Sequence, residues 1–472
     1  MAVYIKLSER RTIFILVDLF LLFISVLFGL KVWSYRGGLD FGLPFLLAQA
    51  HWFFILPGLW LVVNTATNAY RLNIFTQIRK SLHTLLISFV IIFFIYSLIY
   101  FFSLPNSLPR GIVLYHGAAS LLLMGFWRGI YPALTLHPSL RRRTLIVGAG
   151  KTGRLMGEMI QDHLNLHYDI VGFIDDAPEK MGQEVGLRRK GDGRLRVLGT
   201  SRDLVPMVIE HNVSEIILAI KSGIRDDAFQ ALLASQEQGI TITPMPVLFE
   251  QMTGRVPIEH IGANWYFALP LNNPESEGVY PILKRLLDLF VASVGGFLFL
   301  IGFPLIYLSI RADSRGPVFY SQTRVGKGGR PFRTWKLRTM VIDAERPGEA
   351  VWAKAVDPRV TRVGKWLRRT RVDEFPQFLN ILKGEMSAVG PRPERPEFVS
   401  ELEKAIPYYR LRHAVKPGMA GWAMIHQDYA GTVEDVLIRL QYDLYYIKYQ
   451  SIGLDLFILI QTLGKLLRLK GR

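Results

Sequence analysis

Four apolar runs near the start of the chain, at about 12–33, 44–64, 82–103 and 111–131, decide what it can fold into. Each is close to the roughly 20 residues that a helix needs to cross a bilayer. A segment inside lipid must satisfy its own backbone, which leaves helices as the solution. Trp33, Trp52, Trp60, Tyr100 and Trp127 lie within or near the run ends, where interfacial rings belong. Lys6, Arg10 and Arg11 precede the first run. Arg71, Arg79 and Lys80 separate the second from the third, and Arg141, Arg142 and Arg143 follow the fourth. The other two connections are short and poor in Lys and Arg, so both ends of the block 1–140 are expected on the cytoplasmic side. The runs suggest no intramembrane ion pair of the kind that marks a transport pathway, and the expectation is four anchoring helices. The first run is too long for a signal-peptide core and has no small-residue cleavage site after it.

Half of the 472 residues are hydrophobic, and the formal net charge is +17. Such a balance suits anionic lipid or phosphorylated substrates. No nucleic-acid motif accompanies it, so nucleic acid is not an expected partner. The chain has no cysteine, which excludes disulfides, thiolate zinc sites and a thiol nucleophile.

Residues 141–250 change character. Thr144 to Val147 reads as a buried strand, followed by Gly148-Ala149-Gly150-Lys151-Thr152-Gly153 and a helical stretch to about 161. This is G-x-G-x-x-G in a strand–turn–helix setting. A P-loop would need glycine five residues before Gly150, where Leu145 stands. A second strand, Asp169 to Ile174, ends at Asp175 and Asp176, a place for a ribose-binding acid. Further strands are expected near 195–198, 214–220 and 239–243, giving a Rossmann-like parallel sheet. Gly148, Gly150, Gly153 and Asp175 are the candidate nucleotide-binding residues, regulatory in role if a nucleotide binds at all. The alternative is that the glycines only permit a tight turn and close packing. Residues 251–281 fall in a proline-rich stretch of little periodicity and are expected to be a linker.

The domain 282–472 opens with a fifth apolar run, Leu289 to Ile310, interrupted by Gly295, Gly296, Gly302 and Pro304. Cations at both ends, Lys284/Arg285 and Arg311/Arg315, favour entry and return on one side over crossing. Between Arg311 and Met340 stand eight Lys or Arg and one acid, Asp313, an imbalance that suits phosphates or a membrane surface. Further on, Arg359, Arg362, Lys365 and Arg368 recur every third residue and lead to Arg371-Val372-Asp373-Glu374-Phe375-Pro376-Gln377. Phe375, Phe378, Leu379 and Leu382 mark one apolar face of a short helix, with Gly384 as its stop and the two carboxylates at its cap. By itself that is an acidic cap after a solvated basic helix. Among so many cations it also suits a metal-assisted site for a phosphorylated substrate, one carboxylate attacking phosphorus and the other holding Mg²⁺. Pro391 and Pro393 would hold Arg392 on a stiff backbone, able to meet a phosphate or a uracil edge. Tyr442, Tyr445, Tyr446 and Tyr449 share a helix face beside Asp443, and the tail from Leu454 to Arg472, with Lys465, Arg468, Lys470 and Arg472, suits an interfacial helix.

Five ordered motifs then carry a resemblance. They are Lys284-Arg285-x-x-Asp288, Gly316-Pro317-Val318-Phe319-Tyr320-Ser321-Gln322, Lys336-Leu337-Arg338-Thr339-Met340, Asp373-Glu374-x-Pro376-Gln377 and Val389-Gly390-Pro391-Arg392-Pro393. Together they resemble the bacterial polyprenyl-phosphate sugar phosphotransferases, the monotopic phosphoglycosyl transferases. The helices and Rossmann-like domain before them are similar to the large, initiating members. The resemblance implies a four-helix transmembrane bundle, an α/β Rossmann-like domain and an α-rich monotopic catalytic domain. The last carries a re-entrant helix-break-helix at about 282–311. It also implies transfer of a sugar 1-phosphate from a UDP-sugar to undecaprenyl phosphate, releasing UMP, at the bacterial inner membrane with a cytoplasmic catalytic face. The implied catalytic residues are Asp373, which carries a covalent phosphosugar in a ping-pong mechanism, and Glu374, associated with Mg²⁺ or alternatively Mn²⁺. Arg392 is implicated in nucleotide recognition, and Arg371, Arg338, Lys336 and Asp443 complete the candidate substrate-binding set. A homodimer is left open. One departure is Phe303-Pro304 where many members have Ser-Pro at the break. The rival is a transport or channel protein gated by a nucleotide-sensing Rossmann domain, which leaves the carboxylates and the Pro-Arg-Pro loop unexplained.

Overall fold

The computed structural model describes residues 7–70, 72–102, 110–135, 141–164, 167–188, 194–220, 224–260, 278–341, 358–427 and 432–467. Lys6, Arg71, the Tyr100 side chain, most of the expected linker (261–277) and the tail cations Arg468, Lys470 and Arg472 lie outside the described residues. Two compact units divide the chain. The first is Met1–Thr253 with Glu259–Gly262, and the second is Gly254–Ile258 with Ala263–Arg472.

In the first unit the apolar runs become α1 (Leu7–Arg36), α2 (Leu43–Ala48), α3 (Trp52–Ala66), α4 (Ile78–Phe102) and α5 (Arg110–Thr135). Leu22, Trp60, Val63, Leu85, Ile92 and Met124 form one buried cluster across α1, α3, α4 and α5. Leu16, Phe20, Phe54, Phe94 and Phe126 face outward. Apolar residues on both the inside and the outside of a helix bundle are selected by lipid, not by water. Stretches of α1 and α4, Glu9–Arg36 and Ile78–Leu98, are long and apolar enough to cross a membrane. The second run departs from the expected span. It breaks around Gln49, whose side chain accepts from the Trp52 indole at 3.1 Å, and the 15 residues of α3 remain. They cover about 22 Å at roughly 1.5 Å per residue, short of the roughly 30 Å of a hydrocarbon core.

The expectation of no intramembrane ion pair is overturned. Arg128 of α5 donates to Asp18 of α1 at 2.9 Å, and both side chains are fully buried. Their 110-residue separation hides the pair from a reading of each run alone. A buried ion pair is weak evidence for added stability, and this one sits at the contact between α1 and α5. His116 of α5 does similar work, meeting the Ser25 hydroxyl at 2.8 Å and accepting from the Trp60 indole at 3.2 Å.

The same unit holds β1 (Arg142–Val147), α6 (Lys151–His163), β2 (Tyr168–Ile174), β3 (Glu184–Arg188), β4 (Arg194–Gly199), α7 (Leu204–Glu210), β5 (Glu215–Leu218), α8 (Asp226–Glu237), β6 (Thr241–Pro244) and α9 (Met245–Thr253). The strand order is β3-β4-β2-β1-β5-β6, parallel except for β3. Ile146, Phe173 and Ile217 pack one face and Leu145, Ile174 and Ile216 the other, as a sheet covered on both sides requires. Arg10 of α1 donates to His167 beside β2 at 2.7 Å, joining bundle and sheet within the unit.

The second unit is built on α10 (Tyr280–Asp313), followed by the hairpin β7 (Phe319–Val325) and β8 (Pro331–Leu337). Then come α11 (Arg362–Thr370), a 3₁₀ turn (Val372–Gln377), α12 (Phe378–Lys383), β9 (Ser387–Val389), α13 (Pro396–Ala405), β10 (Gly418–Ala420), α14 (Trp422–His426), α15 (Val433–Lys448) and α16 (Ile452–Leu467). The expected break at Pro304 is absent: α10 is one helix of 34 residues with Pro304 inside it. Proline removes one backbone donor, and packing along the helix supports it: Ile306 and Ile310 join a cluster with Val318, Leu337 and Leu367 after the proline, and three contacts come before it. Gly295 meets the Phe378 ring, Phe299 meets Phe375 at 6.1 Å between centroids, and Phe303 stacks on Phe319 at 5.4 Å. The opposite face of α10, including Leu286, Phe290, Phe297, Ile301 and Leu305, is exposed.

Residues 254–258 correct the linker reading of 251–281. They pack with the second unit: Val256 and Ile258 are buried, the Val256 N–H donates to the Gln441 carbonyl at 3.1 Å, and the Trp422 indole donates to the Gly254 carbonyl at 2.8 Å. Gly254 has φ +65°, and a Cβ there would lie 2.9 Å from the Trp422 ring. Gly254→Val in the full-length protein should therefore destabilise the second unit by about 1–3 kcal/mol. A melting temperature in detergent equal to wild type would show that this docking contributes nothing.

Candidate active site

The site is assembled from three chain segments that meet at Glu374. Gly328 and Gly329, both at positive φ, close the β7–β8 hairpin and bring Lys336 in on β8. The basic helix α11 ends where Arg371 adopts φ 53°, and the chain reverses into the 3₁₀ turn that carries Asp373 and Glu374. The expected α-helical cap is thus a tighter turn, and both carboxylates are buried within it. Gly384 stops α12 at φ 84°, as its position suggests. The third segment is the Pro-Arg-Pro loop leaving β9. A Cβ at Gly390 would run into the Lys416 carbonyl, so only glycine lets β9 and β10 close beneath the loop.

Lys336 Nζ and Arg392 each reach Glu374 Oε1 at 2.8 Å. Burial acts to raise the Glu374 pKa, but Arg392 and Lys336, helped by Arg371, outweigh it and hold the carboxyl well below its usual range. Asp373 is pushed the other way, up to about 6, by burial and by the charge of Glu374 next to it. The two adjacent carboxylates thus titrate far apart, and above about pH 6 both are charged. One is a permanently charged anchor, and the other is a carboxylate of raised basicity, which suits a nucleophile.

The Lys284, Arg285 and Asp288 motif supports this site from α10. Asp288 accepts from the Ser387 hydroxyl and the Ala388 N–H, each at 2.8 Å. Lys284 donates to the Val389 carbonyl at 3.0 Å and pairs with Asp455 at 3.0 Å. Arg285 donates to the Ile381 and Leu382 carbonyls at 2.7 and 2.8 Å, capping α12. Asn380 ties α12 to the hairpin through the Arg333 carbonyl at 2.7 Å.

Two candidate substrate-binding residues have other engagements. Arg338 donates to the carbonyls of Ser314, at 2.8 Å, and Arg315, closing the end of α10; it does not join the Glu374 cluster. Asp443 instead pairs with Arg412 at 2.8 Å, both buried. Arg412 donates to the Tyr409 hydroxyl at 2.6 Å and to the carbonyl of Arg392 at 2.9 Å. Arg412 is the residue that sequence reasoning missed. Its only local signal is the three-residue spacing from Tyr409. Arg324 and Arg439 brace the same loop through Glu394, at 3.5 and 3.3 Å.

Among the described residues no group of three or more His, Asp or Glu side chains converges as a metal-ligand cluster. A Mg²⁺ that takes most of its oxygens from substrate phosphates needs only one or two carboxylates. The Asp373–Glu374 pair, whose mutual repulsion a cation would relieve, is such a donor set.

In the first unit, Gly148 needs its φ of 106°, and a Cβ at Gly153 would strike the Gly148 carbonyl. Both glycines are accounted for by the turn and by helix–sheet packing. A Cβ at Gly150 would meet open space. Asp175 accepts from the Ala149 and Ala177 N–H groups at 2.8 and 3.0 Å and from Lys180 at 2.9 Å. One of its oxygens therefore holds the glycine turn and Lys180, and the other holds its own segment at Ala177, which weakens the ribose-binding reading.

A family model described as bacterial sugar transferase matches residues 279–469, and one described as a CoA-binding domain matches 65–246. UDP-glucose:undecaprenyl-phosphate glucose-1-phosphate transferase of Escherichia coli (strain K12) is 33% identical over 333 residues, 70% of this chain and 68% of that protein. The chain belongs to the bacterial sugar transferase family. This sugar transferase is also 43% identical over 221 residues to UDP-N-acetylgalactosamine-undecaprenyl-phosphate N-acetylgalactosaminephosphotransferase of Aeromonas hydrophila. That match covers 46% of the chain and half the length of the relative. Exopolysaccharide production protein PSS of Rhizobium leguminosarum bv. phaseoli is 40% identical over 198 residues, 40% of this chain and 98% of that protein. The expectation of a polyprenyl-phosphate sugar phosphotransferase family is met.

Arg412→Lys in this sugar transferase keeps the charge beside Asp443 but loses the planar fork that reaches Tyr409 and the Arg392 carbonyl together. It should lower kcat/KM for the nucleotide substrate by about 10- to 100-fold, with a smaller loss of thermal stability. Equal kcat/KM in the variant and wild type would show that the clamp does not position Arg392.

Proposed function

We propose that the protein transfers a sugar 1-phosphate from a UDP-sugar to undecaprenyl phosphate, giving undecaprenyl-diphosphate-sugar and UMP. This would be the initiating membrane step of exopolysaccharide, capsule or O-antigen synthesis. The observation that carries the reading is the buried Asp373–Glu374 pair with Lys336 and Arg392 on one glutamate oxygen. The names of the Escherichia coli and Aeromonas hydrophila relatives supply the substrate classes.

In this reading Asp373 attacks the β-phosphorus of the UDP-sugar. The new Asp–O–P bond forms as the bond to UMP breaks, and UMP leaves with the electron pair. An oxygen of the lipid phosphate then attacks the same phosphorus and the Asp373 carboxylate departs. No proton transfer is required in either step. Lys336 and Arg392 hold Glu374 and lie where diphosphate oxygens need positive charge. Mg²⁺, or alternatively Mn²⁺, would be held by Glu374 with Asp373 and would supply further neutralisation of the diphosphate. A covalent intermediate suits substrates from two phases, because UMP leaves before the lipid phosphate arrives.

Asp373→Asn should lower turnover by at least about 10³-fold while leaving the fold intact. Because Asp373 titrates near 6 and must be ionised to attack, kcat/KM for the UDP-sugar should be at its plateau above that pH. It should fall about tenfold per pH unit below it. UMP release by Asp373→Asn at the wild-type rate would remove Asp373 as nucleophile, and a flat profile down to pH 5 would remove its raised pKa.

The reading includes a multi-pass protein of the bacterial inner membrane with its catalytic face in the cytoplasm, where UDP-sugars are made. Support comes from both ends of α10 packing on the same unit: Lys284 against Val389 and Asp455, and Asp313 accepting from the Val363 N–H at 2.8 Å. Single cysteines placed at 285 and 315 in this cysteine-free chain should both be labelled from the cytoplasmic side. Labelling of 315 from the outside alone would mean that α10 crosses.

A further inference from the structure

Beside the dyad the second unit contains a narrow surface cleft, lined by Arg371, Ala420, Met424, Ile425, Thr462, Lys465 and Leu466. Resting on the transferase reading, we propose that this cleft binds the phosphate end of the acceptor lipid. Lys465 and Arg371 meet the phosphate, and Met424, Ile425 and Leu466 meet the first hydrocarbon units.

Two observations place the cleft at the reaction centre. Arg371 stands two residues before Asp373, and its charge is felt at Glu374. Met424, on the opposite wall, puts its Sδ 3.8 Å from Arg392, the guanidinium that holds Glu374. The far wall is α16, whose Leu456 and Leu463 are exposed. A helix with an exposed apolar face and lysine near its end suits a membrane surface. The cleft thus lies between the carboxylates and a helix suited to touch lipid.

The lining chemistry selects the ligand class. A sugar or a uracil needs several directional hydrogen-bond partners. Among the described residues that line it, the only hydroxyl, on Thr462, already donates to the Ile458 carbonyl at 2.7 Å, and there is no carboxylate. Two cations and an apolar floor fit an anion at the head of a hydrocarbon chain. Lys465 is held at the cleft by its contact with the Met424 carbonyl at 3.3 Å. The nucleotide-sugar is left to the Lys336–Arg392 side of the dyad.

The test uses the full chain in detergent. Thr462→Cys introduces the only cysteine, and its rate of maleimide labelling is followed with farnesyl phosphate, farnesol, inorganic phosphate or UDP-sugar present. Farnesyl phosphate should slow labelling several-fold, farnesol less, and inorganic phosphate not at all. Adding Lys465→Gln should remove that protection. In turnover assays Lys465→Gln should raise KM for undecaprenyl phosphate by about five- to tenfold relative to KM for the UDP-sugar. Equal protection by inorganic phosphate, protection by UDP-sugar alone, or an equal rise in both KM values would overturn the assignment. If wild type releases no UMP from any UDP-sugar with undecaprenyl phosphate, the transferase reading itself falls. Turnover without protection at position 462 removes only the lipid site.

Discussion

One carboxylate oxygen organises the catalytic unit. Glu374 Oε1 receives Lys336 from the β7–β8 hairpin and Arg392 from the loop after β9, both at 2.8 Å. Neither cation is near the glutamate in sequence, and each comes from an element with its own scaffold. A buried carboxylate with two cations tolerates burial that a lone one would not. Breaking either contact would leave the buried glutamate with one cation in place of two. The strain of Arg371 at φ 53° follows from the same arrangement, since the chain must turn sharply from α11 to bring the dyad under Arg392. The state of Asp373 depends on it as well. Burial, together with the charge that Glu374 keeps, makes its neighbour harder to ionise and the more basic of the two.

The local parts of this design were legible in the sequence. The glycine stop at 384, the stiff Pro-Arg-Pro loop and the strand–turn–helix around Gly148 are rules of backbone geometry, which act over a few residues. What escaped the sequence is mostly long-range. Arg412 and Asp443 find each other across 31 positions only once the 3₁₀ segment Tyr409–Ala414 and α15 pack, and Asp18 meets Arg128 across 110. Such pairs carry no periodicity, because partners on different elements are chosen by packing. The continuous α10 is a different kind of miss. Proline reads as a helix breaker, but the stacking of Phe303 on Phe319 and the fit of Gly295 against Phe378 hold the helix before it, and Ile306 and Ile310 pack after it. The docking of Val256 escaped for a third reason: a proline-rich stretch without periodicity gives no sign that a few of its residues are buried.

The membrane-type helix and the catalytic loops are not separable parts. Asp288 holds the β9 backbone, Lys284 the carbonyl of Val389, and Arg285 the end of α12, so three residues within the first turns of α10 fix the two segments that carry Arg392 and the dyad. Lys284 is held in turn by Asp455 and by the Tyr446 hydroxyl at 3.1 Å, so α15 and α16 converge on the same point. The outward face of α10 is apolar for most of its length, and water would favour hiding it. Lipid removes that conflict, because it lets the outward face stay exposed while the inward face keeps its polar contacts to the loops. A catalytic unit built this way ties the helix with the apolar outward face directly to the segments that carry Arg392 and the dyad. Stripping lipid from α10 would act on the position of Arg392 through Lys284 and Val389, without any change in the residues that touch substrate.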